Sequence, residues 1–167
     1  MLDLRWKDLQ REAHPDRFSQ HGAAAQRVAM QWSVRINEAY QRLKDPLKRA
    51  AYLCELNSVP VNAESNTAMP AEFLMQQMAW RESLDEAVSR AELDQINAEV
   101  AAARRETLQK CEQLLDVERN YVQAVQQVRS LMFIERFARD IEDRLDTFND
   151  ANAQARDTSA GAADKGQ

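Results

Sequence analysis

The sequence predicts an all-α protein of two modules, and three observations support that class. Its 167 residues include only three glycines and four prolines, so few positions interrupt a helix. Apolar residues recur at helical spacing over most of the length. A segment with turn-forming residues and little periodicity separates two periodic regions. We expect a helical hairpin at residues 1–55, a linker at 56–69, an antiparallel three-helix bundle at 70–148 and a disordered tail at 149–167.

Residues 2 to 13 form the first predicted helix, with Leu2, Trp6, Leu9 and Ala13 on one face and Lys7 and Arg11 opposite. The second is predicted from about Ala23 to Asp45. Its apolar stripe is Val28, Trp32, Ile36, Ala39, Tyr40 and Leu43. We expect the two helices to run antiparallel and to meet through their apolar faces. Pro46 interrupts the pattern, which resumes for a short stretch up to Tyr52.

The connection HPDRFSQHG begins with three unusual residues, His14, Pro15 and Asp16. Proline disfavours helical dihedrals in the preceding residue, so His14 should project beyond the helix end. Asp16 is expected to bond local amides and tighten the turn. The tripeptide alone is a weak motif, so three other interpretations are open. These residues could form a metal site with His21, an acid–base pair, or a turn that occurs by chance. We favour a stiff contact loop, because such a loop loses little entropy on docking.

Three more helices are predicted, at about 70–88, 90–115 and 120–148. The middle one opens with Ser89-Arg90-Ala91-Glu92, a capping-box pattern. In the first, Phe73, Trp80, Leu84, Ala87 and Val88 share one side, whereas Leu74, Met75 and Met78 share another with Glu82 and Asp85. A core helix needs one apolar stripe. The second stripe is either extra core or an adaptable binding surface.

Composition excludes several classes of protein. At 44% hydrophobic and 29% charged residues the chain can bury a core. No apolar run reaches the ~20 residues of a membrane span, and no signal peptide is evident, so we expect a cytoplasmic protein.

The net charge is +4 through Leu53 and −9 beyond it. This uneven distribution argues against general nucleic-acid binding and suggests two surfaces with different partners. Random charge asymmetry is the alternative explanation. Cys54 and Cys111 do not have the spacing of metal ligands or of a C-x-x-C pair. We therefore expect both to be buried thiols, and we expect the protein to hold no metal or cofactor.

The stretch INEAYQRLKDPLKRAAYL, residues 36–53, together with the His-Pro-Asp loop, resembles the J domain of DnaJ-type co-chaperones. The matching positions are Ile36, Ala39, Tyr40, Leu43, Asp45, Pro46, Arg49 and Tyr52. The resemblance implies that His14, Pro15 and Asp16 stimulate ATP hydrolysis by a DnaK-type chaperone. Lys7, Arg11 and Arg17 would attract the acidic surface of that partner.

From residue 1 to about 148 the sequence is similar to the HscB family, the J co-chaperones of bacterial iron–sulfur cluster assembly. The stretches DLQREAHPDRF and FLMQQMAWRESLDE carry this similarity. It implies a non-enzymatic protein with an HscA-type chaperone ATPase and an IscU-type scaffold as partners. The scaffold-docking patch would be Leu74, Met75, Met78 and Phe133, with Glu82 on its rim. Alternatives are a J co-chaperone with an unrelated client and a helical structural adaptor.

Some positions depart from the family pattern. Ala79 stands where a glutamate is familiar and Met132 where an arginine is, which suggests a more apolar contact. The helix that usually precedes the one beginning near Leu2 is missing, and Leu4 lies on the outer face with Lys7 and Arg11. We expect either a sequence that begins partway through a J module or a natural variant with a looser one.

Overall fold

The computed structural model describes the backbone of residues 1–62 and 68–163 and the side chains as far as residue 151. These residues form helices without any β-strand, so the all-α prediction is confirmed. The elements are α1 (Leu2–Glu12), a 3₁₀ segment (Pro15–His21), α2 (Ala23–Lys44), α3 (Pro46–Leu56), α4 (Ala71–Glu86), α5 (Arg90–Glu112), a π-helical turn (Gln113–Val117) and α6 (Tyr121–Ala163). Within the described residues no helix is both long and apolar enough to span a bilayer.

The chain divides into two compact units, Met1–Pro60 and Val61–Gln167. The division falls inside the segment predicted as a linker, of which residues 63–67 lie outside the described part. In the first unit, Gly22 joins the 3₁₀ segment to α2 with φ +86°, a conformation that side chains disfavour. Pro46, predicted only to interrupt α2, begins a helix of its own. The Asp45 carboxylate caps that helix by accepting a 3.0 Å hydrogen bond from the Lys48 amide.

In the second unit, α4, α5 and α6 enclose a common apolar core. Ser89 and Glu92 form the predicted capping box at the start of α5, with each side chain bonded to the backbone of the other. Amide donors of Val88 and Ser89, with the Ser89 hydroxyl, lower the pKa of Glu92. The core cluster contains Phe73, Trp80, Ala87, Leu93, Ile96, Val100, Ile134, Phe137 and Ile141.

The turn between α5 and α6 departs from a simple helix end. After α5 the backbone forms the π-helical turn Gln113–Val117. The Asn120 amide then donates a 2.8 Å hydrogen bond to the Leu114 carbonyl. Asn120 also starts α6, since its side chain accepts from the Gln123 amide at 3.2 Å. α6 continues to Ala163. The disordered tail expected at residues 149–167 stays a prediction. Residues 151–163 are rich in alanine and contain no proline, which favours continued helix. Residues 164–167 lie outside the described residues.

Arg129 is a buried cation in the middle of α6. Its Nε donates to the Val61 carbonyl at 2.8 Å and one terminal nitrogen donates to the Ala68 carbonyl at 3.2 Å. These two bonds fix the backbone on both sides of residues 63–67 to the bundle. Hydrogen bonds from a charged donor are stronger than neutral ones. Arg129 therefore determines how the chain enters α4, a role that the sequence pattern did not reveal.

We expect the Arg129→Met variant to lower the free energy of unfolding by about 1–3 kcal/mol, because two carbonyls lose a charged donor. Urea unfolding followed by circular dichroism measures the change. The matched control is Arg136→Met, which alters an exposed arginine of the same helix and should stay within about 0.5 kcal/mol of the parent. Equal effects of the two substitutions would refute the anchoring role.

Two candidate protein-binding surfaces

The hairpin of the first unit is joined by polar side chains. Asn37 of α2 accepts from Trp6 Nε1 at 2.9 Å and from Gln10 Nε2 at 2.8 Å. The Ser33 hydroxyl donates to Gln10 Oε1 at 2.7 Å. Successive residues of α1 thus meet residues of α2 in reverse order, as expected for antiparallel helices. This polar seam fixes the register of the hairpin and therefore the position of the turn at its end.

An aromatic pair also joins α1 to α2. Trp6 stacks on the buried Tyr40, with ring centroids 4.6 Å apart. The Tyr40 hydroxyl donates to Asp3 Oδ1 at 2.6 Å, and this bond lowers the pKa of Asp3, with a smaller contribution from the Lys44 charge. The Lys44 ammonium lies 5.3 Å from the Tyr40 ring centroid, and contact with Tyr40 raises the pKa of Lys44.

The expectation that two apolar faces meet was wrong for much of the α2 stripe. Trp32 is 61% exposed and Val28 52% exposed, whereas Tyr40 is buried. Trp32 and Ile36 instead line an open apolar groove of about 610 Å³ with Leu9. The two helices are joined at the Trp6–Tyr40 stack and the polar bonds, while Val28 and Trp32 remain exposed. Leu4 is exposed, as the sequence predicted.

The His14-Pro15-Asp16 turn is exposed at the end of this hairpin. His14 has extended dihedrals and caps the 3₁₀ segment, because its Nδ1 accepts from the Asp16 amide at 3.3 Å. The imidazole, and not the Asp16 carboxylate as predicted, therefore provides the cap. The Asp16 carbonyl accepts a 2.8 Å bond from the Ser19 hydroxyl. Since Nδ1 is an acceptor, a neutral His14 ring carries its proton on Nε2 and can donate to a partner.

Three predicted cations lie on α1 and in the turn that follows it. Lys7 and Arg11 are exposed one helical turn apart on α1. Arg11 pairs with Asp8 at 3.5 Å, and a pair so exposed is weak. A terminal nitrogen of Arg17 donates to the Arg11 carbonyl at 3.4 Å, which places the Arg17 charge at the C-terminal end of α1. Arg17 and Arg11 therefore lie at the end of α1 next to the His-Pro-Asp turn, and Lys7 is exposed one helical turn further back. Among the described residues, no cluster of three or more histidines, cysteines or acidic residues is arranged to hold a metal ion.

The second candidate surface is the outer face of α4. Met75 is 75% exposed, Met78 71% and Leu74 41%, and Glu82 is also exposed. The opposite face buries Phe73 and Trp80. The two apolar stripes of α4 are therefore one core face and one solvent face, and the predicted patch residues lie on the second. Val88, which was predicted on the core face, is 81% exposed because α4 ends at Glu86.

Phe133 of α6, the fourth residue of the predicted patch, is partly buried against the core cluster, in a row of aromatic rings. It meets the edge of Phe73 at 5.8 Å and stacks on Phe137 at 5.8 Å. Phe137 in turn stacks on Trp80 at 5.9 Å. The Arg81 guanidinium lies 5.5 Å from the Phe133 centroid. Phe137 and Arg81 were not predicted, although Phe137 stands three residues after Ile134 and four before Ile141, at core spacing.

A helical hairpin with an exposed His-Pro-Asp turn, followed by a helical bundle with a separate apolar surface, defines a J-type co-chaperone. Comparison with known proteins identifies the family. Residues 69–142 match the family model described as the HSCB C-terminal oligomerisation domain. The chain belongs to the HscB family of co-chaperones.

Relatives and solved structures agree with this family. A co-chaperone protein HscB homolog of Bordetella petrii is 48% identical over 84% of this chain and 83% of the relative. The homolog of Burkholderia multivorans is 46% identical over 87% and 86%. The human co-chaperone HscB structure has a TM-score of 0.77 at 26% identity, covering 85% of this chain and 72% of its own. The Vibrio cholerae HscB structure has a TM-score of 0.73 at 31% identity and 88% coverage of both.

The Asp3–Tyr40 bond predicts a pH dependence of the hairpin. Because the folded pKa of Asp3 is lowered, its contribution to stability is present above the ordinary value of 3.8 and is lost as the pH falls through the lowered value. In the Tyr40→Phe variant the pKa of Asp3 should rise and this acid-dependent loss of stability should shrink. An NMR titration of the Asp3 carboxyl group measures the shift. Tyr52→Phe is the control, and an equal shift there would contradict the assignment.

Proposed function

We propose that this protein stimulates ATP hydrolysis by an HscA-type chaperone and delivers an IscU-type scaffold protein to it during iron–sulfur cluster assembly and transfer. The observation that carries the proposal is the presence of two separate exposed surfaces on a chain of the HscB family. The first is the His14-Pro15-Asp16 turn with its cations. The second is the docking patch, defined as Leu74, Met75, Met78 and Phe133 with Glu82 on the rim.

The first surface is suited to contacting a protein rather than to transforming a substrate. Pro15 fixes one backbone dihedral, and the imidazole cap holds the next amide in place. The turn therefore presents a ring N–H and the Asp16 carboxylate from a backbone that loses little entropy on docking. Lys7, Arg11 and Arg17 increase the encounter rate with an acidic surface, an effect that salt weakens. In this proposal the ATP chemistry belongs to the chaperone and the protein itself is not an enzyme.

The docking patch has the features of an adaptable apolar interface. Methionine side chains are flexible and polarizable, so they adjust to the shape of a partner. Leu74 and Met78 lie one helical turn apart, and Met75 and Met78 are three residues apart, so the three form a continuous surface. Phe133 of α6 lies under the guanidinium of Arg81, another α4 residue, and is included in the proposed patch. Aromatic anchors ringed by polar groups are typical of binding hot spots.

Both surfaces belong to one chain, which has a functional consequence. A scaffold bound at the docking patch is held close to a chaperone bound at the turn, because tethering raises the effective concentration. ATP turnover would then be coupled to release or transfer of the cluster. This exchange would take place in the cytoplasm.

Replacing His14 by glutamine should reduce stimulation of the HscA-type ATPase by about tenfold or more, as for a hot-spot residue. Glutamine keeps a polar side chain but loses the ring acceptor and its N–H geometry. Steady-state phosphate release measures the effect, with circular dichroism to show that the helices remain. His21→Gln changes the other exposed histidine of the same loop and should retain stimulation. Full stimulation by His14→Gln would favour the helical adaptor instead.

The combined Leu74→Ala, Met75→Ala and Met78→Ala variant should weaken binding of the IscU-type scaffold by about 10- to 100-fold. Alanine is favourable in a helix, and these side chains are exposed, so folding should be retained. Isothermal titration calorimetry measures the affinity. Val122→Ala, an exposed apolar residue of α6, should have no effect. If an unfolded polypeptide competes as well as the scaffold does, the protein is a J co-chaperone with an unrelated client.

A further inference from the structure

The sulfur atoms of this protein differ sharply in their access to solvent. Cys54 and Cys111 are both buried, so dissolved oxidants reach their thiols poorly. Met75 and Met78, in contrast, are among the most exposed apolar side chains of the second unit. Met132 of α6 is exposed by 40%. An oxidant therefore meets thioethers before thiols in this chain.

The two most exposed methionines of that unit share one surface. Met75 and Met78 stand three residues apart in α4, so their side chains are neighbours on the helix. They belong to the docking patch, where they carry most of its flexible apolar area beside Leu74. Any chemical change at these sulfurs alters the surface without touching the core, because Phe73 and Trp80 hold the opposite face of α4.

We propose that Met75 and Met78 form a reversible oxidation site that turns off scaffold docking. The inference rests on the proposed function of the docking patch. The oxidant is a peroxide such as hydrogen peroxide. A sulfur lone pair attacks one peroxide oxygen, the O–O bond breaks, and the sulfur keeps that oxygen as a sulfoxide while the remaining oxygen leaves as water. Each sulfur loses two electrons and the peroxide gains them.

The product explains the loss of binding. A sulfoxide oxygen is a strong hydrogen-bond acceptor, and an apolar interface offers it no donor, so covering it costs free energy. A sulfoxide on either side chain also breaks the continuity of the patch. The change is reversible, since methionine sulfoxide reductases restore the thioether with electrons from thiols. The His-Pro-Asp turn contains no sulfur, so oxidation leaves the first surface chemically intact.

The test compares four forms of the full chain. Each is treated with hydrogen peroxide, the peroxide is destroyed by catalase, and only then is the IscU-type scaffold added for calorimetry. Mass spectrometry of peptides counts the oxygen atoms on Met75, Met78, Met132 and Met30. The forms are the parent, Met75→Leu/Met78→Leu, Met75→Gln/Met78→Gln, and Met30→Leu. Met30 is 60% exposed in α2, outside the docking patch, and serves as the oxidation control.

We expect Met75 and Met78 to be oxidised at least as fast as Met30, with a loss of scaffold affinity of about tenfold in the parent and in Met30→Leu. The leucine variant should keep after peroxide whatever scaffold affinity it shows before treatment, because leucine cannot be oxidised. The glutamine variant should bind weakly throughout. Methionine sulfoxide reductase should restore the parent, and stimulation of the chaperone ATPase without scaffold should not change.

Two results overturn the inference while leaving the proposed function standing. One is unchanged scaffold affinity in a parent whose Met75 and Met78 are fully oxidised. The other is an equal loss of affinity in the leucine variant, which would place the damage elsewhere. If the untreated parent does not bind the scaffold, the proposed function fails and the inference fails with it.

Discussion

Burial of Phe73 and Trp80 against α6 is the constraint on which the second unit depends. The edge-to-face contact of these two rings, with Phe133 and Phe137 stacked beside them, fixes the rotation of α4 about its own axis. Once that face is turned inward, Leu74, Met75 and Met78 have to face solvent, because a helix cannot bury two opposite stripes in one core. The exposed apolar patch is therefore a direct consequence of core packing. Its persistence on the surface is unfavourable for the monomer alone, which is why a partner that covers it is the natural explanation.

The sequence could predict this patch because α4 carries more apolar residues than one face can hold. Apolar residues also stand at helical spacing in α5 and α6, where Leu93, Ile96, Val100, Ile134 and Ile141 are all in the core. Phe137 was missed because Ala138, beside it, also fits the helical period, and periodicity alone does not choose between neighbours. Arg129 could not be found at all. Its partners are backbone carbonyls of Val61 and Ala68, which carry no side-chain identity.

The first unit shows where periodicity is a poor guide. Apolar residues at helical spacing predicted that α1 and α2 meet through those faces, and Trp6 does stack on Tyr40. Hydrogen bonds among Trp6, Gln10, Ser33 and Asn37 also join the helices, and periodicity did not predict them. Such bonds are directional, so they fix the register of a two-helix hairpin that has little area to bury. The turn was predicted to be rigid because Asp16 would bond local amides. In the structure the His14 ring, and not the Asp16 carboxylate, caps the 3₁₀ segment. The residue that would contact the partner thus also shapes the loop that presents it. A substitution there changes both at once, so the His21 control is informative only alongside a measurement of the loop conformation.

The two surfaces differ in the chemistry that they expose, and this difference decides how they respond to conditions. The turn exposes charged and hydrogen-bonding groups, so salt would weaken its attraction to a charged partner. The docking patch exposes apolar side chains, whose contacts salt would affect little but oxidation of a thioether would change directly. An oxidised protein would still engage the chaperone while no longer delivering the scaffold. Because tethering helps only when both partners bind, chemical change at two methionines would uncouple ATP hydrolysis from delivery without unfolding any part of the chain.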